Sequence, residues 1–271
     1  MSEVFTIGGQ GIPTRSQVLV ELPLPPLYTT TPLTMPVHVL RGRKPGPTMF
    51  ISAAVHGDEL NGTEIIRRLL RRQALKRLRG TLLAVPIVNV YGLLLQSRYL
   101  PDRRDLNRSF PGSEKGSLAA RLAGLFMSEI VAKCDYGIDL HTGAINRSNL
   151  PQIRADLDDA ETARLAEAFS VPVLLNSNLR DGSLREAAAS GGVRVLLYEA
   201  GEALRFDEVA IRAGVDGIIR VMRALEMLPP LRSKRQRSRA PVVARSSSWI
   251  RSPASGLFRS ICSLGQRVKV D

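Results

Sequence analysis

The sequence predicts an α/β protein with a mixed, mostly parallel central sheet flanked by helices. Short apolar runs bounded by turn residues recur through the first 228 residues, and segments with helical periodicity alternate with them. Paired prolines then stop the last helix. Strands alternating with helices require crossovers, which lay helices over both faces of a largely parallel sheet.

The elements follow in order. Residues 17–22 and 37–40 alternate apolar and polar side chains around a stretch rich in proline and threonine, and read as antiparallel strands at a sheet edge. After the turn signal Lys44-Pro45-Gly46-Pro47, residues 48–55 form a continuous apolar run, the pattern of a buried strand. A helix near 62–76 sets Ile65, Ile66, Leu69 and Leu70 against Glu64, Arg67, Arg68, Arg71 and Arg72 on the other side. A second apolar strand, 81–88, ends at Asn89, and residues 97–112 are polar and irregular. Then come a helix over 117–133, a strand over 136–140, a helix over 158–169 and a strand over 171–175. A helix over 180–189, a strand over 193–198 and a long helix over 206–227 complete the alternation.

With 271 residues, 44 % hydrophobic and 23 % charged, the chain suffices for one sizeable core and a small appendage. No stretch approaches the length of a membrane span. The first residues lack a basic region followed by an apolar one, so a cytoplasmic location is expected. Cys134 and Cys262 are too few and too scattered for a disulfide framework and read as free thiols. The net charge of +13 is concentrated at one end: residues 229–271 hold ten Lys or Arg and one acid, a net +9, which leaves +4 for the first 228 residues. The segment around Arg232, Lys234, Arg235, Arg237 and Arg239 has no aromatic residue for base stacking. It reads as a solvated linker ahead of a phosphate or membrane patch, and nucleic acid is not expected as a partner.

Three regions are therefore expected: a main domain over 1–228, a basic linker over 229–240, and a partial β module over 241–271. The last shows short alternating stretches at 242–245, 248–251 and 256–259, split by Ser-Pro and Ser-Gly turns. About 30 residues is short for an independently stable β domain, so a truncated or degenerate module is expected.

The chemistry centres on Val55-His56-Gly57-Asp58-Glu59, where a histidine and a carboxylate three residues apart follow the first buried strand. Hydrolytic zinc sites take three ligands from His and carboxylate and leave a position open, so this pair can supply two of them. A lone His-x-x-Glu is weak evidence. Its location, in the loop between a strand's carboxyl end and a helix, is where open α/β sheets build their sites. The third ligand must come from His38 or His141. His38 lies within an alternating edge strand and reads as a surface residue, whereas His141 ends the strand over 136–140. Asp139, two residues earlier, points to the same side and can accept a proton from that imidazole; the alternative is a loop-capping carboxylate. Glu199 ends another buried strand, where poor solvation would raise its pKa toward the range useful for a general base. An ordinary strand-end Glu paired with an Arg is the equal alternative. Between Arg98 and Arg108 four arginines and Asn107 share a loop rich in turn residues, a good anion-binding element. Arg98, Asn107 and Arg108 are the candidates, with Arg103 and Arg104 read as solvated.

Taken together, His56-Gly57-Asp58-Glu59, Asp105-Leu106-Asn107-Arg108-Ser109-Phe110-Pro111-Gly112, Asp139-Leu140-His141-Thr142-Gly143 and Glu199-Ala200-Gly201 resemble, in order and spacing, the succinylglutamate desuccinylase/aspartoacylase family. That family belongs with the zinc carboxypeptidases, and the resemblance covers roughly residues 35–228. It implies a zinc carboxypeptidase-like fold, one zinc ion per chain held by His56, Glu59 and His141, and Glu199 as general base and acid. It further implies that Asn107 and Arg108 hold a substrate carboxylate and that Arg98 polarises the scissile carbonyl. Bacterial members append a small β domain resembling half of a biotinyl-lipoyl carrier, and residues 253–268 resemble its first half.

The expected function is a zinc-dependent amidohydrolase that removes an acyl group from an N-acyl amino acid or a similar small carboxylate-bearing amide. The nearest alternative is a zinc carboxypeptidase acting on short peptides. From another class, the alternative is a catalytically silent binding protein with a basic tail. No membrane partner is expected, and the sequence is compatible with a homo-oligomer.

Overall fold

A computed structural model describes residues 4–27, 29–177, 181–230, 240–257 and 259–267. In chain order, a hairpin of β1 (Phe5–Ile7) and β2 (Gln10–Ile12) precedes the long antiparallel pair β3 (Ser16–Leu24) and β4 (Leu33–Arg41). Next come β5 (Lys44–Ala53), α1 (Asn61–Leu70), β6 (Arg79–Val85), α2 (Val90–Leu94), α3 (Leu118–Glu129) and β7 (Tyr136–Gly143). The chain continues through β8 (Asn149–Ala155), α4 (Ala160–Phe169), β9 (Val173–Asn176), α5 (Leu184–Ser190), β10 (Arg194–Glu202), α6 (Glu208–Ala224) and β11 (Val242–Ala244).

Nine strands form one sheet in the order β11-β9-β8-β10-β7-β5-β6-β4-β3. Its centre, β10-β7-β5-β6, is parallel throughout, and the flanking β8 and β4 run antiparallel to β10 and β6 respectively. The sheet is thus mixed and mostly parallel, as the sequence predicts. Central strands must be apolar on both faces, and β5 shows why: Met49, Ile51 and Ala53 enter one core while Phe50 enters the other. The first core lies under α1, α4 and α6, with Ile65, Leu69, Phe169, Val215 and Met222 among its residues. The second lies under α3, α5 and the β1–β2 hairpin, where Phe126 meets Phe50 edge-on at 5.9 Å. Fully burying each such side chain contributes roughly 1.5–3 kcal/mol.

Side-chain caps set the helix starts. Ser117, Asp159, Ser183 and Asp207 each accept from backbone N–H groups of the first turn of α3, α4, α5 and α6. The helix expected over 117–133 ends at Glu129 and gives way to a 3-10 turn at 131–133, and the helix near 62–76 likewise tightens into a 3-10 turn at 73–77.

Three elements differ from the sequence reading. The β1–β2 hairpin was not anticipated; its turn is Gly8-Gly9, both at positive φ. Helix α2 spans only five residues, too few for a periodic signal. Strand β8 escapes detection because it contains Pro151 and buries only Ile153 and Ala155.

Val242–Ala244, the first of the stretches expected to open a separate β module, pairs in parallel with β9 at the edge of the main sheet. Among the described residues from 245 to 267 there is no helix or strand. Most of the expected basic linker, residues 231–239, lies outside the described residues.

Candidate active site

The site forms at the carboxyl ends of β5, β7 and β10. After β5, Ala54 takes a left-handed conformation at φ 51°, which turns the chain out of the sheet. The next residues close a turn in which Glu59 N–H donates to the His56 carbonyl at 3.1 Å, placing both side chains on one side. Gly57 lets that turn sit against α2: a Cβ there would lie 1.9 Å from the Gly92 carbonyl carbon. Asn89 ties the two together, accepting from Gly92 N at 2.8 Å and donating toward the Val55 carbonyl at 3.4 Å.

Strand β7 extends to Gly143, beyond the end expected at Leu140, and carries His141 inside it. One ligating atom from each of His56, Glu59 and His141 lies within 4.8 Å of the others, and all three residues are buried. Glu59 is the hub: Oε1 lies 2.7 Å from His56 Nδ1, and Oε2 lies 2.8 Å from His141 Nδ1. The backbone N–H of Thr142 also donates to Oε2 at 3.0 Å. The outward nitrogens each meet another carboxylate. His141 Nε2 lies 2.6 Å from Asp139, whose other oxygen accepts from Ser52 Oγ at 2.7 Å. His56 Nε2 lies 3.2 Å from Asp105 Oδ1. His38, half-buried on β4, belongs to no such group among the described residues.

Burial disfavours charge on every member, but the mutual attraction prevails. For His56, burial lowers the pKa and is outweighed by Glu59 and Asp105, so the pKa rises. His141 is raised well above the ordinary value, with Asp139 and Glu59 overcoming its burial. Glu59 is held far below the usual carboxylate range by the two imidazoles despite being buried. Asp105 is depressed likewise, against its burial, by His56 and Arg98.

Asp105, the first residue of the Asp105–Gly112 motif, carries a role toward His56 and Arg98 that its sequence position does not reveal. Its Oδ1 also accepts from Asn107 N at 2.8 Å, and its Oδ2 accepts from Arg98 Nη2 at 3.0 Å and Nε at 3.2 Å. One carboxylate therefore orders a histidine, an arginine and the Asn107–Arg108 loop. A pattern signal existed: Asp two residues before Asn opens a local turn by accepting that Asn's N–H. Arg98 Nη1 also comes within 3.5 Å of Glu59.

Asn107 is buried, and its Oδ1 accepts from Leu184 N at the start of α5. Arg108 is exposed and donates from Nη1 to the Asn107 carbonyl. Arg103 and Arg104 are exposed too, and outside the pocket.

Glu199 is opposite His141 in the parallel β7–β10 register, so the two side chains share a face. It also meets the equal alternative raised for it, an arginine partner: Arg154 Nε lies 2.8 Å from Glu199 Oε2. That N–H points off the line to the oxygen, which makes the contact an ion pair rather than an aligned hydrogen bond. Gln152 Nε2 donates to the same oxygen at 3.0 Å. Gln152 and Arg154 alternate along β8 and are half-buried, which removes the apolar pattern that would mark a strand.

All eight sequence-predicted site residues, His56, Glu59, His141, Glu199, Arg98, Asn107, Arg108 and Asp139, line one pocket of about 660 Å³. Arg147, Arg154 and Arg185 add to its basic wall, and the largely exposed Trp249 also lines it, with the Arg147 guanidinium 5.2 Å from the indole centroid.

Comparison with known proteins shows the family and the fold. Residues 45–225 match the family model of the succinylglutamate desuccinylase/aspartoacylase catalytic domain. The N-alpha-acetyl-L-2,4-diaminobutyric acid deacetylase of Halomonas elongata is 34 % identical over 144 residues, which cover 51 % of this chain and 42 % of that enzyme. The match thus spans less than half the length of the curated relative. The crystal structure of a succinylglutamate desuccinylase/aspartoacylase from Rhodobacter sphaeroides superposes with a TM-score of 0.73 at 27 % identity, covering 84 % of this chain and 70 % of that one. The product-bound ectoine utilization protein EutE (DoeB) from Ruegeria pomeroyi shares the fold, with a TM-score of 0.73 at 22 % identity over 85 % of this chain and 71 % of that one.

Proposed function

Because this chain belongs to the succinylglutamate desuccinylase/aspartoacylase family, we propose that it hydrolyses the amide bond of a small N-acyl amino acid, with one zinc ion bound by His56, Glu59 and His141. The observation that carries this reading is the buried convergence of two imidazole Nδ1 atoms on one carboxylate, beside a second carboxylate on the adjoining strand.

The donor set fits zinc. Two nitrogens and a carboxylate are the ligand types of catalytic zinc sites, and each imidazole has a carboxylate on its far nitrogen to fix its tautomer and strengthen it as a donor. A zinc ion bound there supplies Lewis acidity toward water and toward the amide carbonyl.

The protein's own groups do the rest. Arg154 and Gln152 both engage Oε2 of Glu199, and among the described residues Oε1 has no hydrogen-bond partner. Oε1 takes the proton from the attacking water and returns it to the leaving amine nitrogen. Arg98, braced by Asp105, directs positive charge at the oxygen that becomes negative in the transition state. Asn107, its carbonyl end held by Leu184, presents its amide N–H groups to the substrate carboxylate, and the free edge of the Arg108 guanidinium completes the clamp. A pocket of about 660 Å³ with several arginines suits a small anionic amide better than an extended peptide.

The test is a screen of N-acetyl and N-succinyl amino acids against dipeptides with the zinc-loaded protein, run beside Glu199→Gln. Turnover of an N-acyl amino acid that collapses in the variant is expected. Preferential cleavage of dipeptides would favour the carboxypeptidase reading, and hydrolysis undiminished by Glu199→Gln would sink the mechanism.

A further inference from the structure

The pole opposite the active site, at the amino ends of β5 and β6, holds a larger concavity of about 990 Å³. Four separate stretches of chain meet there. Arg15 comes from the turn before β3, and Arg41, Arg43 and Lys44 come from the β4–β5 connection. The segment from the end of α1 to the start of β6 brings five more cations, and Arg223 stands on the last turns of α6. Among the ten Lys and Arg of its lining only Arg72 has an acidic partner within ion-pair distance among the described residues, Asp216 at 3.4 Å. Glu226 is the sole acid in the lining.

Local chemistry accounts for part of this. Cations beside the carboxyl end of α1 suit its dipole, which covers Arg71 and Arg72. It does not cover Arg15, Arg43 or Lys44, which arrive from other elements and converge on the same space against mutual repulsion. The stretches are pinned by backbone bonds. Gly42 N donates to Gly80 O at 2.8 Å, and Arg79 N donates to Met227 O at 2.9 Å. Gly42 is pressed so closely on the α1–β6 connection that a Cβ would lie 2.2 Å from Leu78 O. Arg15 itself holds a left-handed conformation at φ 59°.

We infer that this cleft binds a compact polyanion bearing several phosphate groups. Arginine forks match phosphate oxygens two at a time, and most of the cations here are arginines. The lining contains no aromatic side chain to stack on a base, which disfavours single-stranded nucleic acid. A concave wall over the buried leucines Leu75, Leu78 and Leu228 suits an enclosed ligand rather than a flat lipid surface.

The probe is inorganic tripolyphosphate, titrated calorimetrically into the whole chain at low and at physiological salt. Saturable one-site binding that weakens with salt is expected. Arg43→Glu/Arg77→Glu should weaken it about tenfold or more, and so should Lys44→Glu/Lys76→Glu, a second pair from the same walls. Lys115→Glu/Arg212→Glu makes the same change in charge away from the cleft and should leave affinity within about twofold. The inference fails if no saturable binding occurs, or if the cleft and distant variants lose affinity equally. It also fails if replacing the Lys and Arg of residues 232–239 abolishes binding while the cleft variants retain it. Tighter binding of duplex DNA or anionic vesicles that tripolyphosphate cannot displace would likewise overturn it.

Discussion

At the scale of single residues, the candidate site is a chain of carboxylates that hold other side chains in place. Asp105 and Asp139 each face the outward nitrogen of one proposed ligand histidine, but they differ in reach. Asp139 also binds Ser52 within the sheet, whereas Asp105 also holds Arg98 and the Asn107 backbone. Asp105→Asn should therefore weaken zinc retention roughly tenfold to a hundredfold, the usual range for such outer partners. Competition with a chelator would measure it. Ser52→Ala, which leaves Asp139 on its histidine, should change retention less. Glu199→Gln should lower kcat by about 10² to 10⁴ with zinc content unchanged, as expected for loss of a general base. Loss of zinc in that variant would place Glu199 among the ligands instead. Most of these positions could be read from sequence because strand-end carboxylates and histidines are rare and their spacing is local. Gln152 and Arg154 could not, since their importance arises only when β8 lies beside Glu199.

At the scale of elements, the loop bearing His56 and Glu59 depends on α2, a helix too short to be seen in periodicity. Gly57→Ala would drive a methyl group into the Gly92 backbone. Overpacking of that kind costs about 1–3 kcal/mol, so a lowered melting temperature together with weaker metal retention is expected. Gly92→Ala should do the same from the other side, because its Cβ would meet the Asn89 side chain at 2.5 Å. Ion pairs along the helices contribute to acid behaviour. Hydrogen bonds from Arg67 and Arg68 outweigh burial and hold Glu64 down to about 2, against an ordinary 4.5. Asp159, capping α4 and paired with Arg194, is depressed too. A depressed folded pKa means the stabilisation is complete above the ordinary value and is lost as pH falls through the folded one. The melting temperature should thus decline between the two, and Glu64→Gln should flatten part of that acid limb. A slope unchanged by the substitution would remove Glu64 from the account. The arginine partners reach solvent, which screens the pairs, so each effect is small.

At the scale of the whole molecule, the two poles of the sheet carry different chemistry. The carboxyl ends of the central strands gather the proposed ligands, base and carboxylate clamp; the amino ends gather ten cations of which, among the described residues, only Arg72 has an acidic partner. Segments remote in sequence complete both. Trp249 joins the lining of the candidate site from the C-terminal stretch, and Trp249→Ala should raise KM several-fold with kcat and zinc content retained, since an aromatic–guanidinium contact contributes roughly 0.5–1 kcal/mol. An unchanged KM would make that wall incidental. The alternation of strands and helices and the mostly parallel sheet were determined by the sequence alone, and the eight candidate residues could be named from it. Each depends on local patterning: apolar runs, helical periodicity, caps and short motifs. Only the tertiary structure decided that β8 completes the wall behind Glu199, that Asp105 joins His56 to Arg98, and that Val242–Ala244 extends the main sheet. It also decided that four distant basic segments share one cleft. These are contacts between residues far apart along the chain, and their energies depend on distances that spacing in a sequence does not encode.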